Sequence, residues 1–271
     1  MYTVLINAAI ALALTLGLRL GHVCGWGWSI TWGMLLMVGL QVLSSWIIQK
    51  RVKAAMGDVQ QILLDGQKKL QAKVNRWQTR PPGSVKQAQL EIEHDQQALV
   101  KRALEKSKCM ERFVPWVPMM TRQIATMRLQ LYWMIKDFKQ VDELMPKALM
   151  VDPLMAAMKL ARMYMLNQFD GMEKFFRKQT LRLRYGQGTL LYALYSWILV
   201  QRKDYDSAHK VLIQANDKME NATIKANREA LANNRIQQFS NAGLGEQWYA
   251  LHLEQPKVKT QRPSHFSQRH F

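Results

Sequence analysis

Lys136-Asp137-Phe138-Lys139-Gln140-Val141 opens with a polar turn, sets an aromatic after it, and places an apolar residue three positions beyond the aromatic. The same grammar returns in Asn167-Gln168-Phe169-Asp170-Gly171-Met172 and in Arg202-Lys203-Asp204-Tyr205-Asp206-Ser207-Ala208. An apolar run with helical spacing precedes each copy, and another follows it. The aromatics stand 31 and 36 residues apart, which brackets the period of about 34 residues of a helix–turn–helix repeat. Such units bury their apolar faces by stacking on one another, and the stack presents an extended surface for binding. The expectation is a scaffold and not a catalyst.

Two stretches carry a resemblance. Lys147-Ala148-Leu149-Met150-Val151-Asp152-Pro153 has a small residue followed by a terminal Asp-Pro, and Tyr192, Tyr195, Ser196 and Leu199 are followed by Tyr205, Ala208, Leu212 and Ala215. Over roughly residues 121–256 this pattern resembles the tetratricopeptide repeat (TPR) family, with small residues where two helices cross closely and large ones wedged between repeats. A degenerate fourth copy is expected from about Arg228 to Pro256, with Leu244 in the aromatic position. Met172 and Gln247 depart from the pattern by standing where a small residue belongs. The resemblance implies a concave groove lined by the first helix of each repeat, where Arg128, Tyr132, Arg162, Tyr192 and Tyr195 are the candidate residues. Aromatic rings beside guanidinium groups suit an acidic or C-terminal peptide.

Ahead of the repeats, residues 1–18 and 20–49 carry no charged side chain, and Arg19 stands alone between them. A bilayer-spanning helix needs about 20 mainly apolar residues. Thr3–Leu18 extended by Gly21–Cys24 supplies one span, and Ile30–Ile48 a second, with Gly25-Trp26-Gly27-Trp28 as the turn. Trp26, Trp28, Trp32 and Trp46 sit towards the ends of the second span, where indoles favour the membrane interface. A cleaved signal peptide fits badly, because nothing basic precedes the apolar run and no polar mature region follows it. Lys50, Arg51 and Lys53 directly after the second span predict that both termini are cytoplasmic. The expected localisation is therefore an integral protein of a bacterial inner membrane.

The expected organisation is all-α: a transmembrane hairpin over 1–49, a basic helical neck over 50–118, TPR-like repeats over 119–256, and a basic disordered tail over 257–271. In the neck, Val52, Met56, Val59, Leu63, Leu70, Val74 and Trp77 form one helical stripe, interrupted by Gly66, of the kind that can build a short coiled coil or a homo-oligomer. Pro81-Pro82-Gly83 breaks that helix, and Ser84 is placed to cap the next. Two such helices would fold into an antiparallel hairpin that ends at Val114-Pro115-Trp116-Val117-Pro118.

Charge is the remaining signal. The chain has 38 Lys and Arg against 20 Asp and Glu, a net +18. Clusters lie in the neck (with Lys68, Lys69 and Lys73 as candidate contacts to anionic lipid), at Arg177-Lys178 with Arg182 and Arg184 beside Gly186-Gln187-Gly188, and in the tail at Lys257, Lys259, Arg262 and Arg269. Headgroup or acidic-protein contact ranks above nucleic acid, since no recognised nucleic-acid-binding signature is present. The runner-up reading is a basic membrane-associated protein whose neck and tail bind nucleic acid or anionic lipid. No phosphate-cradling loop, His-Glu-x-x-His or paired-cysteine zinc spacing occurs. Glu91, Glu93, His94 and Asp95 read as a solvated helix face, and no metal, cofactor or catalytic residue is expected. Cys24 and Cys109 fall on different segments and propose no disulfide. The layout of two spans followed by cytoplasmic repeats is similar to a bacterial inner-membrane family traditionally associated with haem biosynthesis; the likeness is one of architecture and implies no haem chemistry.

Overall fold

A computed structural model describes residues 2–20, 25–79, 84–117 and 119–256. The loop that holds Cys24, the Pro81-Pro82-Gly83 break and the basic tail lie outside the described residues. Those described form eleven α-helices and three short 3-10 helices, with no strand among them. The chain divides into two compact units, Met1–Leu149 and Met150–Phe271.

The first unit begins with α1 (Tyr2–Leu20) packed along α2 (Trp26–Thr79), a helix of 54 residues. Both are long and apolar enough to cross a membrane. Their packing is inside-out relative to a soluble hairpin. The buried side chains of α1 are Thr3, Asn7 and Ala11, whereas Leu5, Leu12, Leu16, Leu35, Val38 and Val42 face outwards. Asn7 donates through Nδ2 to Gln41 Oε1 (3.0 Å) and Ser44 Oγ (3.1 Å) across the pair. Gly33 lies against Thr15 and the Ala11 carbonyl, with no room for a larger residue. Small and polar residues at the helix contact, with aliphatic residues outside, are the distribution that a lipid solvent selects.

Beyond Ile48 the same helix runs on without a break and becomes the neck. Its partner is α3 (Val85–Ser107), followed by a 3-10 helix at Lys108–Phe113. Ser84 does occupy the N-cap position of α3, in extended backbone, although its side chain makes no capping bond. Gly66 faces Leu99 of α3, and a Cβ there would meet Leu99 Cγ at 2.8 Å. The core does not stop at the expected neck boundary near residue 118. Helix α4 (Met120–Met134) inserts Ile124 against Val52, Ala55, Met110 and Phe113, and Leu131 against Val59, Val100 and Ala103. Helix α4, expected to open the first repeat, is thereby packed into the neck core, and the short α5 (Phe138–Leu144) follows it.

The second unit comprises α6 (Pro153–Met165), α7 (Met172–Thr180), α8 (Thr189–Gln201), α9 (Tyr205–Lys218), α10 (Ala222–Ala232) and α11 (Glu246–Tyr249). Helix α8 is buried continuously from Leu190 to Leu199, as befits a helix that is apolar all round. Phe176 stacks on Tyr195 (centroids 4.3 Å apart) and meets Tyr192 edge-on (5.2 Å); Trp197 packs against Tyr164 (5.2 Å) and Trp248 (5.6 Å).

One turn recurs four times. Lys136, Asn167, Lys203 and Asn234 all adopt left-handed backbone, with φ between 55° and 62°, just after α4, α6, α8 and α10. In each copy the left-handed residue donates its N–H to the carbonyl three back, and its successor donates to the carbonyl five back, as in Lys136 N to Trp133 O and Asp137 N to Tyr132 O. These bonds satisfy carbonyls that a helix end leaves without partners. Asp137 and Asp204, next in line, also cap the following helix by accepting from Gln140 N and Ser207 N. Gln168 makes no such cap, and the left-handed Gly171 (φ 80°) instead starts α7 three residues later than the grammar predicts. The fourth copy is shifted from its expected place. Its first helix begins at Ala222, capped by Asn221, and Ile236 stands where the aromatic belongs, so Leu244 plays a different part.

Candidate functional site

The five expected groove residues do not form one surface. Tyr192 is 1% exposed and Tyr195 7% exposed, both in the core against Phe176. Burial pushes the Tyr195 hydroxyl above its ordinary pKa, which suits a packed ring and not a peptide-facing donor. These two positions fill space between helices, the role that large residues have in a stack. Arg128 is a strut: its Nε donates to Ser107 Oγ (3.0 Å) and its terminal nitrogen pairs with Glu111 (2.6 Å), tying α4 to the preceding helices. Tyr132, on α4, and Arg162, on α6, are half-buried in different units.

Among the neck lysines, Lys73 differs from expectation. Lys73 Nζ lies 2.5 Å from Glu91 and 2.6 Å from Asp95, and stands over the Trp77 ring. The Asp95 and Glu91 carboxylates hold its pKa above the ordinary lysine value, so it is a clasp between α2 and α3 and not a free cation. That clasp absorbs two of the four residues of the acidic cluster, while His94 points to solvent. Lys68 and Lys69 are exposed, but Lys68 stands 20 positions past Ile48 on an unbroken helix, a rise of about 30 Å at 1.5 Å per residue. Among the described residues, no group of three or more His, Cys, Asp or Glu side chains is placed to hold a metal.

What the second unit does expose is a basic and aromatic patch. The segment 181–188 between α7 and α8 presents Leu181 (82% exposed) and Tyr185 (72%) beside Arg182 and Arg184. It is pinned by Gly186 N donating to Lys218 O (2.9 Å) and by Arg184 N donating to Gln187 Oε1. Large apolar side chains held out in water by a fixed loop mark contact surfaces more often than single scattered ones do. Tyr185 also walls a cleft of about 590 Å³, lined by Asn216, Glu220, Lys225 and Arg228 from the end of α9 and the start of α10. Two cations and a phenol line it against the single carboxylate of Glu220, a net positive lining that suits a carboxylate with an apolar neighbour. The Arg-rich cluster beside Gly-x-Gly was visible in the sequence; the approach of Lys225 and Arg228, about forty residues on, required the fold.

Compared with known proteins, the chain matches no family model, no curated protein and no solved structure.

Proposed function

We propose that this chain is an integral membrane scaffold of the TPR-like kind. Helix α1 and the Trp26–Ile48 part of α2 cross the bilayer, both termini are cytoplasmic, and the helical repeats recruit other proteins there without chemistry of their own. The observation that carries the membrane half is the inside-out hairpin, whose polar Asn7, Gln41 and Ser44 meet each other while its leucines face out. A soluble hairpin buries its aliphatic face and leaves such amides in water. The repeated left-handed turn at Lys136, Asn167, Lys203 and Asn234 supports the scaffold half, because it reproduces one supersecondary unit along the chain. The client surface is the Leu181–Tyr185 loop with its adjoining cleft, and an acidic or C-terminal peptide segment is the matching partner.

Two experiments test this. Maleimide applied from outside intact cells should label Cys24 and leave Cys109 untouched; the reverse pattern would refute the orientation. Partners crosslinked to the full chain in membranes should be lost on charge reversal at Arg182, Arg184, Lys225 and Arg228. An unchanged partner set would refute the client surface, and retention of duplex DNA at physiological salt would favour nucleic acid instead.

A further inference from the structure

The scaffold reading leaves unused a cleft of about 890 Å³ at the point where α2 leaves its apolar stretch. Its walls include Ile48, Arg51, Lys106, Arg112, Phe113 and Trp116. That volume falls within the range of about 300–1,000 Å³ typical of small-ligand sites. Three cations line it against one carboxylate, Asp58, which is already paired with Lys106 at 3.1 Å. Arg51 and Arg112 have no carboxylate partner among the described residues. Arg112 is held against the Phe113 ring, 4.7 Å from its centroid. A guanidinium so placed keeps its planar N–H edge for a partner that can accept two hydrogen bonds, such as two oxygens of a phosphate.

The level of the cleft is fixed by two contacts. Tyr2 N, at the start of α1, donates to Pro115 O (3.3 Å), and the Tyr2 ring meets Trp116 edge-on with centroids 5.9 Å apart. The segment Phe113–Trp116 therefore lies beside the first residues of α1 and the last apolar residues of the α2 span, at the same end of the hairpin. A neighbouring cleft shares Arg51 and Ala54, adds Lys50, whose ammonium stands over the Trp46 ring (5.5 Å to its centroid), and continues along Trp46 and Ile47, both exposed. Cationic ligation by Arg51, Lys50 and Arg112 thus adjoins the apolar side chains of Ile47, Ile48 and Trp46. A free phosphate would use only the cationic half; a molecule with a phosphate and acyl chains would use both.

We propose that this cleft binds an anionic phospholipid, its phosphate between Arg51 and Arg112 and its acyl chains along Ile48, Ile47 and Trp46. The inference rests on the membrane reading given above. Basic recesses beside spanning helices on the cytoplasmic side are the sites where anionic headgroups settle.

The test titrates the full detergent-solubilised chain with short-chain phosphatidylglycerol, phosphatidylcholine or inorganic phosphate, and counts bound molecules by native mass spectrometry. Phosphatidylglycerol should bind in preference to the other two. Arg51→Gln and Arg112→Gln should each weaken it about tenfold, the loss expected of one charge-assisted contact. Lys68→Gln with Lys69→Gln should leave it unchanged, and far-UV circular dichroism should match across all variants. Equal binding of phosphatidylcholine, full competition by inorganic phosphate, or no loss in folded arginine variants would each overturn the lipid site. Carbonate extraction of membranes separates the two readings. A chain that stays in the membrane but shows no phosphatidylglycerol preference refutes this site alone, whereas a chain released to the supernatant refutes both.

Discussion

Replacing Glu254 by glutamine asks whether the last described segment is structural or merely follows the repeats. One oxygen of Glu254 accepts from Trp197 Nε1 at 2.8 Å and the other accepts from Trp248 Nε1 at 2.7 Å. Trp248 is fully buried and Trp197 nearly so, which leaves neither indole a ready alternative partner. A carboxylate can receive two donors at once, whereas a carboxamide offers one oxygen and turns its NH2 towards the second indole. Glu254→Gln therefore removes one charge-assisted bond, worth about 1.5–3 kcal/mol, and opposes two donors in its place. The expected cost is about 2–3 kcal/mol. At about 2–4 °C per kcal/mol for a fold of this size, the midpoint should fall by about 5–10 °C. The assay is thermal unfolding of the full chain in detergent, followed by near-UV circular dichroism, which reports on the packed tryptophans. Trp248→Phe made in both backgrounds closes a double-mutant cycle, and a coupling above about 0.5 kcal/mol is expected. A Glu254→Gln change smaller than about 0.5 kcal/mol would show that the segment is not held through this carboxylate, and would refute the argument.

Gly66→Val should destabilise the neck by about 1–3 kcal/mol through overpacking against Leu99; Leu99→Ala in the same chain should recover part of the loss, and the absence of any rescue would place the strain elsewhere. Asp204→Ala removes the cap on Ser207 N and should cost about 1 kcal/mol in a denaturant melt, whereas Gln168→Ala, at the corresponding uncapped position, should be nearly neutral. The folded-state pKa of Lys73 is raised above the ordinary 10.5, so its contribution is fully present below that value and is lost as pH rises through the higher folded one. The Tm difference between the native chain and Lys73→Met should accordingly hold steady through neutral pH and shrink above 10.5; a difference that grows with alkaline pH would contradict the clasp.

The helical class and the two apolar helices were legible because charge-free runs and three-to-four spacing are properties of the chain itself. So was the turn grammar, since Asp137 and Asp204 announce their caps. Its left-handed residue was harder to see, because lysine at Lys136 and Lys203 gives none of the warning that glycine would. The fourth copy is hard to place for a related reason: Ile236 stands where the other copies carry an aromatic, and no local rule distinguishes it from an ordinary apolar residue. Tyr192 and Tyr195 read equally as surface or core because a phenol can serve either face, and only the arrival of Phe176 decides the matter. Likewise, Lys73 reads as a solvated cation until the fold brings up α3, whose Glu91 and Asp95 lie on the far side of a proline break.

The unbroken course of α2 has a mechanical consequence. With no proline or loop between the proposed span and the neck, the helix would act as a lever that pivots where the proposed span ends. Its arm, from Ile48 to Thr79, is about 46 Å at 1.5 Å per residue. A spanning helix answers a change in bilayer thickness by tilting. A tilt of about 10° would swing the far end of this arm through about 8 Å, by the same rise per residue. On the proposed membrane reading, bilayer thickness would then be read out as lateral displacement at the far end of the neck, with no ligand and no refolding.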